Sequence, residues 1–183
     1  MNTISIILAE FKHAWDSLPI PEEIDFFADA VMTNPHVDDY VAFYDVEYLR
    51  EQVLGKKYNE FTYYTDDSFG KYLSSAAMCY YYGSWINGFL IYNSQDILSD
   101  ILSHTEAGNV LVDRLSDHND LLKLCQCFTC DQMKVLIKVL NLFIDYNDYF
   151  NERLNKENIS NLIISSFIVR SALSRGMKQP IGS

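Results

Sequence analysis

Apolar residues recur three and four positions apart along most of the chain, the spacing that gathers them on one face of an α-helix. Strand-like alternation is hard to find. Ile4, Ile7, Leu8, Phe11, Trp15 and Leu18 form the first such stripe, with Glu10, Lys12 and Asp16 on the opposite side, and Pro19-Ile20-Pro21 ends it. Pro21 followed by Glu22 and Glu23 predicts a fresh helix start running to Ala30, since proline suits the first turn and carboxylates suit the positive end of the helix dipole. Val41, Tyr44, Tyr48, Leu49 and Val53 predict a helix between Val37 and Leu54, stopped at Gly55.

The segment KKYNEFTYYTDDSF is polar and aromatic, and its Thr65, Asp66 and Asp67 offer a cap for a helix from Phe69 to about Tyr92. That helix is apolar almost all round, which marks it as the central buried element, with Gly83 and Gly88 as points of close contact or a kink. Ser94 is read as the cap of a short helix carrying Ile97, Leu98, Ile101 and Leu102, ending at a Gly108-Asn109 turn. The following NVLV suits a short strand as well as a helix; helix is favoured from about Asp117 to Cys125. A long helix to Tyr149 and a last one from about Lys156 to Ser174 complete the pattern. The fold class expected is all-α: a single-domain bundle of about six to eight helices around a central apolar helix, covering residues 1–175, with a disordered tail at 176–183.

The stretch LCQCFTCDQMKV, Leu124 to Val135, holds three of the four cysteines and admits two readings. Thr129 and Gln132 have the spacing of a capping box, and Phe128 and Met133 that of a hydrophobic staple, so the order of residues is that of a helix start. The alternative is a zinc or thiol-dependent enzyme site in which Cys125, Cys127 and Cys130 join His118 or His104. Only one C-x2-C-like unit is present where tetrahedral zinc usually takes two, and no histidine neighbours Cys130, although a thiol in a first helical turn is made more acidic. Downstream, Lys134, Lys138, Asn141, Asp145 and Asp148 form a single polar stripe, so this helix is expected to be buried on two sides.

Charge narrows the range of partners more than composition does. In a chain of 183 residues that is 49% apolar, 25 acids stand against 14 Lys and Arg, giving a net charge of −11. Such a field repels nucleic acid and attracts basic partners. No basic leader precedes the short apolar run Ile4 to Leu8, and no run of apolar residues is long enough to span a bilayer, so a cytoplasmic location, reduced thiols and no membrane association are expected. No H-E-x-x-H, G-x-S-x-G, P-loop or dinucleotide fingerprint occurs; neither an enzyme nor a cofactor is expected. Carboxylate pairs such as Asp38 with Asp39, or Asp45 with Glu47, fit a solvated acidic face better than a metal or acid–base site. Tyr80, Tyr81, Tyr82 and Trp85 fit a core better than a stacking platform. The mixture of acids and aromatics in the middle of the chain suits protein binding: Asp38, Asp39, Asp45, Glu47, Glu60, Asp66 and Asp67 to meet lysines and arginines, with Tyr63 and Tyr64 as anchors.

AEFKHAWDSLPIP, DVEYLREQVLGKKYNEF, SSAAMCYYYGSWINGFL and CFTCDQMKVLIKVL resemble successive blocks of a bacterial family of uncharacterised small helical proteins, over about Ala9 to Tyr149. The resemblance supplies no catalytic residues. In size, acidity and helical character the chain is also similar to immunity proteins of contact-dependent growth inhibition and other polymorphic toxin systems. That resemblance implies a cytosolic protein that neutralises one cognate toxin domain, in many cases a basic nuclease. A helical regulatory subunit, using the apolar Phe69 to Tyr92 helix as an oligomer interface, is the third reading.

Overall fold

The first apolar stripe forms α1, Thr3–Asp16, and buries Ile4, Ile7, Phe11, Ala14 and Trp15. It belongs to a computed structural model that describes residues 3–27, 40–60, 72–95, 106–145 and 156–176. Among these are seven helices of ten or more residues and one of four: α2 Glu23–Phe26, α3 Tyr40–Gln52, α4 Ser75–Gln95, α5 Glu106–Ser116, α6 His118–Cys127, α7 Cys130–Asp145 and α8 Lys156–Gly176 follow α1. No strand occurs among the described residues, and the fold is all-α with packed helices. The described residues fall into two compact units, one made of those up to Ser17 and from Trp85 onward, the other of Leu18–Ser84.

In the Leu18–Ser84 unit, α2 is shorter than the proline and acids suggest. Phe27 takes an extended conformation instead of continuing toward Ala30, and it forms an isolated antiparallel bridge with Leu73. That bridge also corrects the start of α4. Leu73 is paired and Ser74 is non-helical, so the helix begins at Ser75 and not at Phe69. Ser74 is its cap: the hydroxyl accepts the Ala77 N–H at 3.1 Å and donates to the Asp25 carbonyl. Thr65, Asp66 and Asp67 lie outside the described residues. Phe26, buried completely, meets Phe27 and Tyr81 edge-on, with ring centroids 4.7 and 5.7 Å apart. Tyr80, Tyr81, Tyr82 and Trp85 are all core residues.

The C-terminal end of α3 is closed by a turn. The Lys56 N–H donates to the Val53 carbonyl at 3.0 Å, and Gly55, third in the turn, has φ +77°, the left-handed value that favours glycine there. The buried hydroxyl of Tyr81 lies 3.1 Å from both the Val53 and the Lys56 carbonyl oxygens.

In the other unit α8 packs against α5, α6 and α7, while α1 packs on α7. Trp15 stacks on Phe11 with centroids 4.8 Å apart and meets Phe128 edge-on at 6.3 Å; Phe89 of α4 lies 4.7 Å from Phe143 of α7. The polar stripe of α7 serves two of its neighbours, Lys138 pairing with Glu10 of α1 and Asn141 accepting from Arg170 of α8 at 3.3 Å. Burial of Met133, Leu136, Leu140 and Phe143 together with Val135, Val139 and Leu142 shows the two-sided packing expected of this helix.

Ser94 is inside α4, its hydroxyl donating to the Ile91 carbonyl at 2.8 Å, so it does not begin a new helix. Gly108 and Asn109 lie in the first turns of α5, and NVLV is helical, because Leu111, Val112 and Leu115 share one buried face. The helix expected from Asp117 stands as read: Asp117 caps α6, accepting the Asn119 and Asp120 N–H groups at 3.0 and 3.2 Å. Residues 146–149, expected to prolong α7, and 177–183 of the expected tail lie outside the described residues; Gly176 is the last residue of α8.

Candidate functional site

Of the acids and tyrosines expected to meet a partner, Asp38, Asp39, Tyr63, Tyr64, Asp66 and Asp67 lie outside the described residues, and Asp45 is placed within α3. Glu47 and Glu60 are described, and each has local work. Glu47 accepts from Arg50 one turn on, at 3.0 Å, while the Arg50 guanidinium also lies over the Phe27 ring. Glu60 accepts the Lys57 N–H at 3.0 Å and returns its own N–H to the Lys57 carbonyl at the same distance, closing a small turn.

The cysteine stretch folds as a helix start. Gln132 N–H donates to the Thr129 hydroxyl at 3.2 Å and Thr129 N–H donates to the Gln132 side-chain carbonyl at 2.9 Å, a reciprocal capping box. Phe128 and Met133, on either side of it, are both buried. The thiols are free and face different surroundings: Cys125 is buried, Cys127 exposed and Cys130 half-buried in the first turn of α7. Burial pushes the Cys125 thiol up to about 11, the Arg175 guanidinium pulling weakly the other way. The Cys130 sulfur lies 3.8 Å from where a side chain at Gly176 would begin, at the end of α8. His118 turns its Nε2 to the Asn161 carbonyl at 3.1 Å, and His104 lies outside the described residues. Among the described residues no three His, Cys, Asp or Glu side chains gather as a metal site would need.

These surroundings separate two thiols by reactivity. Raising a thiol from an ordinary value near 9.0 to about 11 leaves roughly a hundredfold less thiolate at neutral pH. Iodoacetamide is expected to label Cys125 roughly a hundredfold more slowly in the native protein than in the unfolded chain, with exposed Cys127 labelled first, read by mass spectrometry; equal native rates for the two would contradict the burial of Cys125. Because the folded value is the higher one, the stability linked to this thiol is complete below the ordinary thiol range and is lost as pH rises through about 11. A Cys125→Ala variant should therefore unfold with a flatter alkaline limb.

No family model, curated protein or solved structure matches the chain.

Two surfaces of the Trp85-onward unit were not singled out from the sequence. The first is a groove of about 540 Å³ between α1 and α7, lined by Ala9, Glu10, His13, Asp131, Lys134, Val135 and Lys138. Its charges are matched pair by pair, Glu10 with Lys138 and Asp131 with Lys134, the latter at 2.7 Å. The hydrogen bond and charge of Lys134 hold the Asp131 carboxyl below the usual range, and Asp131 raises Lys134 in return. The second is the outer face of α8, where Ile163, Ile164 and Phe167 are 40%, 46% and 66% exposed. The signal for it was present: Leu162, Ile163, Ile164, Phe167, Ile168 and Val169 are too many apolar residues for one face of a helix.

Proposed function

We propose that the chain is a binding protein that neutralises a basic protein partner by covering it, in the manner of a cytoplasmic immunity protein acting on a cognate toxin domain. The observation that carries this reading is the charge: a net −11, with acids and tyrosines interleaved between Asp38 and Asp67. Acids of that density raise the encounter rate with a cationic protein, and tyrosines add rigid contact area once it has docked. The acids that would steer are Asp38, Asp39, Asp45, Glu47, Glu60, Asp66 and Asp67, with Tyr63 and Tyr64 as anchors; Glu47 shares its charge with Arg50, while Glu60 accepts a backbone N–H and keeps its full charge.

The test begins with the gene product encoded immediately upstream in the native host. Its expression should arrest growth, and co-expression of this chain should restore it. With the purified pair, reversing Asp38, Asp39, Asp66 and Asp67 together to lysine is expected to slow association about tenfold or more at low salt and to flatten its salt dependence. A complex whose association rate and salt dependence survive that reversal would sink the steering mechanism.

A further inference from the structure

The exposed positions of α8 form a pattern of their own. Glu157, Ser160, Ile164, Phe167, Ser171 and Ser174 follow one another at intervals of 3, 4, 3, 4 and 3, and all are exposed, whereas Leu162, Ser165, Ser166 and Val169 are buried against the neighbouring helices. Alternating three- and four-residue steps are the spacing of a seam between two paired helices, and here the seam lies on the outside. It has large apolar residues in the middle, small hydroxyls on either side, an acid at one end and Arg175 at the other.

We infer that two copies of the chain pair through this seam, α8 against α8, antiparallel and across a two-fold axis. A two-fold axis midway between Ile164 and Phe167 sets Ile164 of each copy opposite Phe167 of the other, Ser160 opposite Ser171, and Glu157 opposite Ser174 with Arg175 beside it. Large residues meet large ones and small meet small, and at each end Arg175 of one copy comes beside Glu157 and opposite Lys156 of the other, so the apolar centre carries the pairing. A parallel pair would instead set Glu157 against Glu157 and Arg175 against Arg175.

Charge selects the same surface. Two bodies of net −11 repel each other, so contact is favoured where carboxylates are missing. All 25 acids lie at or before Glu157, and the sequence from Asn158 onward has none, while it carries Arg170, Arg175 and Lys178. The seam is therefore poorly suited to the basic partner proposed above and well suited to a second acidic copy. At 21 residues the helix is roughly 30 Å long, enough for three turns of seam on each side of the axis, and Ile163 widens the apolar centre. The apolar helix expected from the sequence to form such an interface has its large side chains buried instead, with Tyr92 exposed near its end.

Sedimentation of the full chain over a wide concentration range tests the pairing. The wild type should pass from monomer to dimer as concentration rises, and Phe167→Glu should weaken the dimer at least about thirtyfold, the effect of losing a central interface anchor. Because Phe167 faces solvent in the single chain, its helical circular dichroism and melting as a monomer should be unchanged. Glu157→Arg should weaken association severalfold, and adding Arg175→Glu should recover it. A wild type that stays monomeric throughout, a dimer indifferent to Phe167→Glu, or a double exchange worse than the single one would overturn the proposal.

Discussion

Replacing Trp15 with alanine is expected to destabilise the protein by about 3 to 5 kcal/mol, the range for truncating a large buried aromatic. Trp15 is completely buried, as is Phe11, on which it stacks with centroids 4.8 Å apart. It also meets the ring of Phe128, the residue just before the capping box of α7, at 6.3 Å. Alanine thus removes apolar area and leaves a cavity between α1 and the start of α7, two losses that add. Urea unfolding followed by circular dichroism checks this: the midpoint should fall with little change in slope. A double-mutant cycle with Phe11→Ala should show a coupling of about 0.5 to 1.5 kcal/mol for the ring pair. A loss below about 1 kcal/mol would mean that this end of α1 is not packed as described.

Tyr81→Phe is expected to cost about 1 to 3 kcal/mol, although it deletes a single oxygen. The ring contacts with Phe26 and Tyr80 survive the change, which isolates the hydroxyl. One proton serves two carbonyls, those of Val53 and Lys56, each 3.1 Å away, so phenylalanine leaves the Lys56 carbonyl and one lone pair of Val53 facing an apolar ring. Burial, helped by the neighbouring Tyr80, pushes the phenol upward, so it remains a donor through the ordinary tyrosine range. The turn it secures carries Lys56 and Lys57, which gives a local readout: trypsin should cut there faster in the variant than in the wild type under native conditions. Unchanged cleavage with unchanged stability would show that the hydroxyl holds neither carbonyl.

Helix faces and caps were legible in the sequence where the physics is local. The Thr129–Gln132 box needs only four residues, and both of its hydrogen bonds form as the spacing dictates. The helix start near Asp117 was legible too, and in the structure Asp117 itself caps it. Element boundaries set by distant partners were not legible. Phe27 leaves its helix to pair with Leu73, 46 positions away, and nothing near Phe27 announces that bridge. Ser94 and the Gly108-Asn109 pair carry the composition of caps and turns, yet both stay helical because their helices bury large side chains close by, and packing overrides a weak local preference. The same limit holds for the candidate surfaces. The contacts of Glu47 with Arg50 and of Glu60 with the Lys57 N–H are visible only in the structure, and so is the outward seam of α8, which appears once the inward face is assigned.

The pairing of Glu10 with Lys138 joins residues 128 positions apart, and it implies an order of events during synthesis. Leu18–Ser84 is one continuous stretch and can close as soon as it has been made. The stripe of α1 packs on α7, which is made much later. Ile4, Ile7, Phe11 and Trp15 leave the ribosome well before α7, the surface that buries them, has been translated. Until α7 emerges that packing cannot form, and an apolar stripe waiting for its partner helix is the kind of segment that chaperones bind.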